Sequence, residues 1–303
     1  MSPEHAVRRV AFVGLGNMGD PIAANLVSAG FDVVGVDAVP GRAAQWAART
    51  GGSHAAAAAD AARGADAVVT ILPTSEHVAA VVADVVPVLD AGAVLVDMTS
   101  GVPAVTRRLA GDLAARGVAL VDVAVSGGVS RAADATIALM AGGDDVALDR
   151  VQPLLDAVGR ATFRCGGVGT GQAMKSLNNL VSAGGLLVAV EALLVGATAG
   201  LDPATMVDVL NESTGMNNAT KVKLKQFVLS RSYGSGFGLD LMVKDLGIAL
   251  GLADAGELDV PLSQALVSLW RDASERLGPG RDHTEIARYS EQVAGVELAA
   301  PAT

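Results

Sequence analysis

Three glycines near the start of the chain have a spacing that suits the binding of phosphate groups. Gly14, Gly16 and Gly19 form the pattern Gly-x-Gly-x-x-Gly between an apolar run and a helix-like segment. The first permits a tight turn, the second lets the backbone approach a pyrophosphate, and the third lets helix and strand pack closely. The helix N-terminus adds free N–H groups and a positive dipole end. We therefore expect a dinucleotide site whose contacts are Gly14, Leu15, Gly16, Asn17, Met18 and Gly19.

Asp37 ends the next apolar run, where a carboxylate can select the cofactor. Such a group accepts hydrogen bonds from a ribose 2′-OH and repels a 2′-phosphate. Ala38, rather than an arginine, follows it. We expect NAD, with NADP as the weaker alternative, because the guanidinium of Arg42 could turn towards a phosphate.

Ser126, Gly127 and Gly128 follow another apolar run and could form a small anion-binding turn. Two glycines expose backbone N–H groups and the serine hydroxyl adds a donor, which suits a carboxylate. Read alone, the same three residues could also be an ordinary turn.

Lys175 and Asn179 lie four residues apart in an apolar, helix-like segment that follows the glycine-rich residues 165–171. Residues at this spacing share one helix face. An ordinary lysine, with a pKa near about 10.4, is a poor base at neutral pH, but burial or nearby positive charge lowers that pKa. A solvated lysine is the alternative reading.

The elements around these residues change character about half-way along the chain. The first half alternates β-branched runs with Ala-rich helical stretches, which predicts βαβ units and a parallel sheet. From Gln172 onwards nearly every long segment has helical periodicity. We predict an α/β fold, with a Rossmann-type doubly wound sheet over residues 1–167 and an all-α domain over residues 168–303. The expected strands are Val10–Val13, Val33–Val36, Ala67–Leu72, Ala93–Val96, Val118–Val123, Ile137–Ala141 and Ala161–Arg164.

Composition excludes several classes of protein. The 303 residues are 51% hydrophobic and 18% charged, which can fill a core, and the net charge of -10 argues against nucleic-acid binding. Four scattered histidines and one cysteine predict no metal site. Asp282 to Glu285 has the pattern of a helix cap, so His283 is expected to be structural. Lys221, Lys223 and Lys225 are expected to form a solvated face or a subunit contact.

The stretch Leu180–Leu201 is long and apolar enough to resemble a membrane span, but it contains Glu191. A central glutamate is costly in a bilayer, so we expect a buried helix and no membrane contact. The lone Cys165 fits a reducing compartment, and we expect a cytoplasmic protein. The apolar helical domain predicts a homodimer or homotetramer.

Four ordered motifs, in residues 14–26, 122–128, 169–179 and 236–246, make the chain resemble the β-hydroxyacid dehydrogenases, such as those of the 3-hydroxyisobutyrate type. The resemblance covers nearly the whole chain. It implies oxidation of a small 3-hydroxy acid with NAD(P), the substrate carboxylate binding at Ser126, Gly127 and Gly128. It makes Lys175 the catalytic acid/base, with Asn179 holding the lysine or the substrate oxygen. Further cofactor contacts implied by the resemblance are Leu72, Pro73, Thr99, Phe237 and Lys244.

Two positions depart from this family pattern. Ala124 stands where proline is usual and Ala135 where glycine is usual, which bears on substrate identity more than on activity. Two alternatives remain open. An imine reductase has a similar fold but typically lacks the lysine, and a non-catalytic dinucleotide-binding scaffold would have little need of Lys175 or the turn at Ser126.

Overall fold

The computed structural model describes residues 7–298. The chain folds as two compact units, Met1–Lys175 and Ser176–Thr303. The first unit contains a sheet with helices, and the second is helical. The predicted fold class is therefore confirmed, while the predicted domain boundary after residue 167 stays a prediction.

Eight strands form the single sheet of the first unit. They are β1 Arg9–Val13, β2 Asp32–Val36, β3 Ser53–His54, β4 Ala67–Thr70, β5 Val94–Asp97, β6 Ala119–Ser126, β7 Ile137–Gly142 and β8 Gly159–Gly166. Their spatial order is β3-β2-β1-β4-β5-β6-β7-β8. The chain moves outwards from β1 in both directions, so the carboxyl ends of β1 and β4 flank the switch point where doubly wound folds bind ligands.

Two features of the sheet differ from the prediction. β6 and β7 pair in antiparallel fashion, whereas the other neighbours are parallel. The segment between them is too short for the crossover that a parallel pair needs. The edge strand β3, Ser53–His54, was not predicted because it has two exposed residues and no apolar alternation.

Helices cover both faces of the sheet. They are α1 Gly19–Ser28, α2 Arg42–Thr50, α3 Ala58–Ala62, α4 Ser75–Val85, α5 Pro103–Ala114, α6 Gly128–Ala133 and α7 Asp145–Asp156. Alternate residues of β1 enter different cores: Val10 and Phe12 pack in one, with Trp46, and Ala11 and Val13 in the other. This alternation is the expected consequence of the strand pleat.

The helix α8, Thr170–Thr198, begins in the first unit and continues into the second. In the second unit its residues Ala183, Leu186, Val190 and Leu193 are fully buried in the core. Length and composition alone would also allow this helix to cross a membrane. Its buried face contributes to the second core.

The second unit is completed by shorter helices. They are α9 Pro203–Asn211, α10 Asn218–Val222, α11 Leu239–Ala255, α12 Pro261–Leu277 and α13 Ile286–Ala294, with one π-helical segment at Leu224–Leu229. Trp270 on α12 is fully buried at the centre of this core. Each unit thus contains one buried tryptophan.

Candidate active site

The glycine turn after β1 has the geometry that phosphate binding needs. Gly14 has a φ of 104°, and a Cβ there would lie 2.3 Å from the carbonyl oxygen of Ile71. A Cβ on Gly19 would lie 1.8 Å from the carbonyl oxygen of Gly14, so helix and turn can touch only because this residue is glycine. Gly16, in contrast, faces open space, with no atom within 4 Å of a Cβ built there. The arrangement leaves room for a dinucleotide pyrophosphate where the motif places it.

The N-terminus of α1 is free to receive that pyrophosphate. Met18 precedes the helix and provides no side-chain cap. Uncapped N–H groups and the positive end of the helix dipole favour an anion. Leu15 is buried, and Asn17 is exposed at the turn. The residues of the turn therefore fit a dinucleotide.

Asp37 follows β2 and is fixed beside this turn. Its Oδ2 accepts a hydrogen bond from the N–H of Leu15 (2.8 Å), and its Oδ1 accepts one from Val39 (2.8 Å). Arg42 Nη1 lies 3.2 Å from Oδ1, so the guanidinium of Arg42 is paired with this carboxylate. The carboxylate is held where the ribose of a bound dinucleotide is expected.

Two further predicted cofactor residues meet at the ends of β4 and β5. The N–H of Leu72 donates to Thr99 Oγ1 (3.0 Å), and the N–H of Thr99 donates to Asp97 Oδ1 (3.0 Å). Pro73 follows Leu72 in the same loop. Leu72 and Thr99 therefore belong to one connected group next to the switch point.

The Ser126–Gly127–Gly128 turn ends β6 and leads directly into α6. Gly127 has a φ of 145° and Gly128 a φ of 74°, conformations that favour glycine. A Cβ on Gly127 would lie 2.8 Å from Cδ of Arg131, so the arginine stem covers this turn. The backbone geometry explains why two glycines follow the serine.

The two departures from the family pattern have different settings. Ala124 is buried in β6, where it pairs with Met140. Ala135 has a φ of 53°, in the left-handed region that favours glycine. Backbone conformation is therefore a physical reason to favour glycine at this position.

Asp122 connects the strand of this turn to the start of α8. It lies on β6, four residues before Ser126, and its Oδ2 accepts a hydrogen bond from the N–H of Gln172 (2.8 Å). Its Oδ1 accepts a second bond from the N–H of Gly169. A carboxylate at a helix N-terminus satisfies N–H groups that the helix itself leaves unpaired. Lys175 is half-buried on this helix, one turn beyond Gln172.

Asn179 and Lys244 are predicted site residues that meet through Asp245 in the second unit. The amide of Asn179 donates to Asp245 Oδ2 (2.6 Å), and Lys244 Nζ lies 3.4 Å from Asp245 Oδ1. Asp245 is 1% exposed. Asp245 therefore links Asn179 to Lys244.

Phe237 precedes α11 and is held by the segment before α13. Its carbonyl accepts a hydrogen bond from the N–H of His283 (2.8 Å), and the two rings pack edge to face at 5.6 Å. Ser235 Oγ lies 2.8 Å from Asp282 Oδ1 and 2.9 Å from His283 Nδ1. The predicted capping box from Asp282 to Glu285 is present, and His283 is buried. Phe237 remains a prediction as a cofactor contact.

Burial shifts the pKa of both carboxyl groups behind the predicted site. It raises the pKa of Asp97 to about 6, against the opposing effect of hydrogen bonds from Thr99 and Thr70. It also raises the pKa of Asp122, against the hydrogen bonds from Gly169 and Gln172. Both groups are internal, so we assign them to structure rather than to proton transfer with substrate.

The sequence did not reveal Asp97, Gln172 or Ser235 as site residues. Gln172 contacts Asp97 across 75 positions, and Ser235 contacts His283 across 48. Position was the sequence signal, since Asp97 directly follows the predicted strand Ala93–Val96 and Gln172 precedes Lys175 by one turn. Within residues 7–298, no group of three or more His, Cys, Asp or Glu side chains could hold a metal ion.

Comparison with known proteins agrees with this geometry in both units. Residues 9–167 match the model described as the NAD binding domain of 6-phosphogluconate dehydrogenase. Residues 169–290 match the one described as NAD-binding of NADP-dependent 3-hydroxyisobutyrate dehydrogenase. The chain belongs to the β-hydroxyacid dehydrogenase family. Its cofactor is accordingly a nicotinamide dinucleotide.

Similar proteins in this family are dehydrogenases of small hydroxy acids. The 3-hydroxyisobutyrate dehydrogenase of Pseudomonas aeruginosa is 37% identical over 84% of this chain and 88% of its own length. The NAD-dependent L-serine dehydrogenase of the same organism is 33% identical over 95% and 100%. A solved structure of Mycobacterium tuberculosis 3-hydroxyisobutyrate dehydrogenase with L-serine matches with a TM-score of 0.87 and 32% identity, over 93% of this chain and 99% of that one.

Imine reductases are more distant neighbours. A structure of the enzyme from Myxococcus stipitatus matches with a TM-score of 0.64 and 19% identity, over 93% of this chain and 99% of that one. A likeness at this level shows a shared fold alone. The β-hydroxyacid dehydrogenase interpretation is therefore the one that the comparisons support.

Proposed function

We propose that this dehydrogenase oxidises a small 3-hydroxy acid reversibly to a semialdehyde or keto acid, with NAD preferred and Lys175 as the acid/base. The assignment of the substrate-binding and catalytic residues depends mainly on one observation. Asp122 joins β6, which ends at the Ser126 turn, to the first turn of the helix that contains Lys175. A carboxylate-binding turn and an amine are thus both positioned from one strand.

The residues have separate tasks in this reaction. A nicotinamide dinucleotide held by the glycine turn and Asp37 would supply the hydride acceptor for the carbon that carries the hydroxyl group. The Ser126 hydroxyl and the N–H groups of Gly127 and Gly128 bind the substrate carboxylate and orient the molecule. Lys175 Nζ takes the hydroxyl proton during oxidation and returns it during reduction. Asn179, one turn along α8 and anchored by Asp245, holds the lysine or the substrate oxygen.

The catalytic role of Lys175 is tested by comparing wild type with Lys175→Ala. The probes are 3-hydroxyisobutyrate, glycerate, L-serine, 3-hydroxypropionate and threonate, each with NAD and with NADP. We expect kcat for the preferred substrate to fall by roughly 100-fold or more, within the range for loss of general acid–base catalysis. Equal background rates in both proteins would instead favour a non-catalytic scaffold.

The preference for NAD is supported by the fixed position of Asp37. Its carboxylate accepts from Leu15 and Val39 and so stays beside the glycine turn, where it would repel a 2′-phosphate. The guanidinium of Arg42 is paired with the Asp37 carboxylate and not with a separate site, which also supports NAD. Asp37→Asn combined with Ala38→Arg should shift kcat/KM towards NADP. A wild type that already prefers NADP would contradict the assignment.

A homodimer or homotetramer is supported by an apolar face of α8. Val181, Val188 and Val195 lie seven residues apart, two helical turns, and are 76%, 65% and 68% exposed. Sedimentation equilibrium should show an oligomer that Val188→Glu weakens, whereas Val146→Glu, at an equally exposed valine of α7, should not. A monomeric wild type would contradict this proposal.

The single cysteine, Cys165, supports a cytoplasmic location.

A further inference from the structure

Gln172 lies one turn before Lys175 and joins two buried carboxylates. Its backbone N–H donates to Asp122 Oδ2 (2.8 Å), and its side-chain Nε2 donates to Asp97 Oδ2 (2.9 Å). Its Oε1 accepts a hydrogen bond from Thr106 Oγ1 (2.7 Å). The residue is 1% exposed. Gln172 is thus bound from β5, β6 and α5 at once.

The same network reaches a predicted cofactor residue. Asp97 Oδ1 accepts hydrogen bonds from the N–H of Thr99 (3.0 Å) and from Thr70 Oγ1 (2.9 Å). Gln172 Nε2 also lies 3.3 Å from the carbonyl oxygen of Thr99. Thr99 is therefore tied to the first turn of α8 through the side chain of Gln172.

The start of α8 packs closely against the sheet. A Cβ on Gly171 would lie 2.2 Å from the carbonyl oxygen of Met140. A Cβ on Gly142 would lie 2.6 Å from Asp122 Oδ1. The helix start is thus fixed by backbone contact and by polar side chains, and Gln172 is the side chain that reaches beyond β6.

We propose that Gln172 is a positioning residue, which fixes Lys175 for proton transfer by tying the first turn of α8 to Asp97 and Asp122. Gln172 touches neither substrate nor the reacting atoms, and it acts through the backbone of the turn that leads to Lys175. Small misplacements of a reacting group lower rates strongly, by up to about 100-fold for 1 Å. The inference rests on the proposed function of Lys175.

Gln172→Met keeps the chain length but removes the polar bridge, and Gln152→Met is its matched control. Gln152 lies on α7, where its amide binds the exposed Asp156. With 3-hydroxyisobutyrate and NAD, Gln172→Met should lower kcat about tenfold or more and change KM by less than about threefold, since the contacts made by the substrate-binding turn are retained. The control should keep wild-type kinetics.

Gln172→Glu separates a hydrogen-bonding role from simple packing. Its carboxyl group faces Asp97 Oδ2 and can replace the Nε2–H donor only while it carries a proton. The ratio of its kcat to that of wild type should therefore rise as the pH falls below about 6, because two adjacent buried carboxyl groups share a proton. The corresponding ratio for Gln172→Met should stay flat. A flat ratio for both variants would overturn the hydrogen-bonding role.

The same variants are tested without turnover and in the Lys175→Ala background. Gln172→Met should raise backbone hydrogen exchange in residues 168–176 and change the rate at which acetic anhydride acylates Lys175, and Gln152→Met should do neither. In Lys175→Ala, adding Gln172→Met should change the residual rate by less than about twofold. The proposal would be overturned if Gln172→Met lowered the rate by the same factor in wild type and in Lys175→Ala. It would also be overturned if Gln172→Met left hydrogen exchange and the acylation rate unchanged. Failure of wild type to oxidise any 3-hydroxy acid would count against the proposed function. Hydrogen exchange and the acylation rate are measured without turnover and do not depend on that function.

Discussion

Asp97 in the first unit and His283 in the second are both buried, and burial shifts their pKa values in opposite directions. Burial raises the pKa of Asp97 to about 6. Burial lowers the pKa of His283 to about 4, aided by the charge of Lys223 and opposed by Asp282. The cause is common to both, because a low-dielectric interior disfavours whichever form carries charge.

At neutral pH the two groups therefore differ in charge. His283 is neutral there. Asp97 is ionised there and needs its three donors, which come from Thr70, Thr99 and Gln172. One of these donors, Gln172, lies in the first turn of α8, so the charge of Asp97 and the position of the helix start are linked.

The largest expected effect compares two glycine-to-alanine changes. Gly171→Ala would bring its Cβ to 2.2 Å from the Met140 carbonyl oxygen, and should lower the free energy of unfolding by about 3 kcal/mol, at the upper end of the usual range for overpacking. Gly251→Ala, on the exposed face of α11 with no atom within 4 Å, should raise it by about 1 kcal/mol. Urea unfolding followed by circular dichroism measures both, and equal changes would contradict the close contact.

His283→Asn tests the acid sensitivity of the second unit. The folded-state pKa of His283 lies below its ordinary value of 6.5, so its contribution to stability is present above pH 6.5 and is lost as the pH falls towards 4. The loss is roughly 3 kcal/mol. The variant, whose amide can still bind the Phe237 carbonyl, should show a flatter stability curve from pH 6.5 to 4 in urea titrations. His54→Asn, at an exposed histidine, should keep the wild-type slope.

Asp97→Asn tests the opposite dependence in the first unit. The folded-state pKa of Asp97 lies above its ordinary value of 3.8, so the stabilisation is full below pH 3.8 and is lost as the pH rises through 6. The loss is roughly 3 kcal/mol. Relative to wild type, the variant should therefore gain stability between pH 4 and 7. Asp60→Asn, at an exposed carboxylate of α3, serves as the control, and a wild-type slope in Asp97→Asn would contradict the pKa shift.

The smallest expected effect concerns the backbone at the end of α6. Ala135 adopts a φ of 53°, which disfavours residues other than glycine by about 1–2 kcal/mol. Ala135→Gly removes that strain but gives the unfolded chain more freedom, so we expect a net gain of about 0.5 kcal/mol. Ala133→Gly, inside α6, should instead destabilise. A loss of stability in Ala135→Gly would show that the methyl group contributes packing.

The sequence predicted the elements whose signals are local. The strand from Val10 and the helix after Gly19 were placed within a residue or two, because apolar alternation and glycine spacing are read along the chain. The capping box at Asp282 was recognised for the same reason. β3 was missed because it pairs with β2 through its backbone, and the side chains of Ser53 and His54 do not form an apolar pattern that would predict a strand.

The site could be predicted only as separate pieces. The glycine turn, the Ser126 turn and Lys175 each have a recognisable spacing or a family pattern. The contacts that fix them do not, because Asp122 and Gln172 are joined across 50 positions and Asn179 and Asp245 across 66. Such contacts depend on the order of strands and the packing of helices, which local sequence does not specify.

The two tryptophans give each half of the molecule its own optical reporter. Trp46 lies in the first core, where its indole N–H donates to the carbonyl of Asp20 (3.3 Å), and Trp270 lies in the second core. Trp46→Phe and Trp270→Phe therefore leave proteins whose fluorescence follows one half alone. The order in which the halves lose structure, and whether cofactor stabilises one or both, can then be observed without any attached dye.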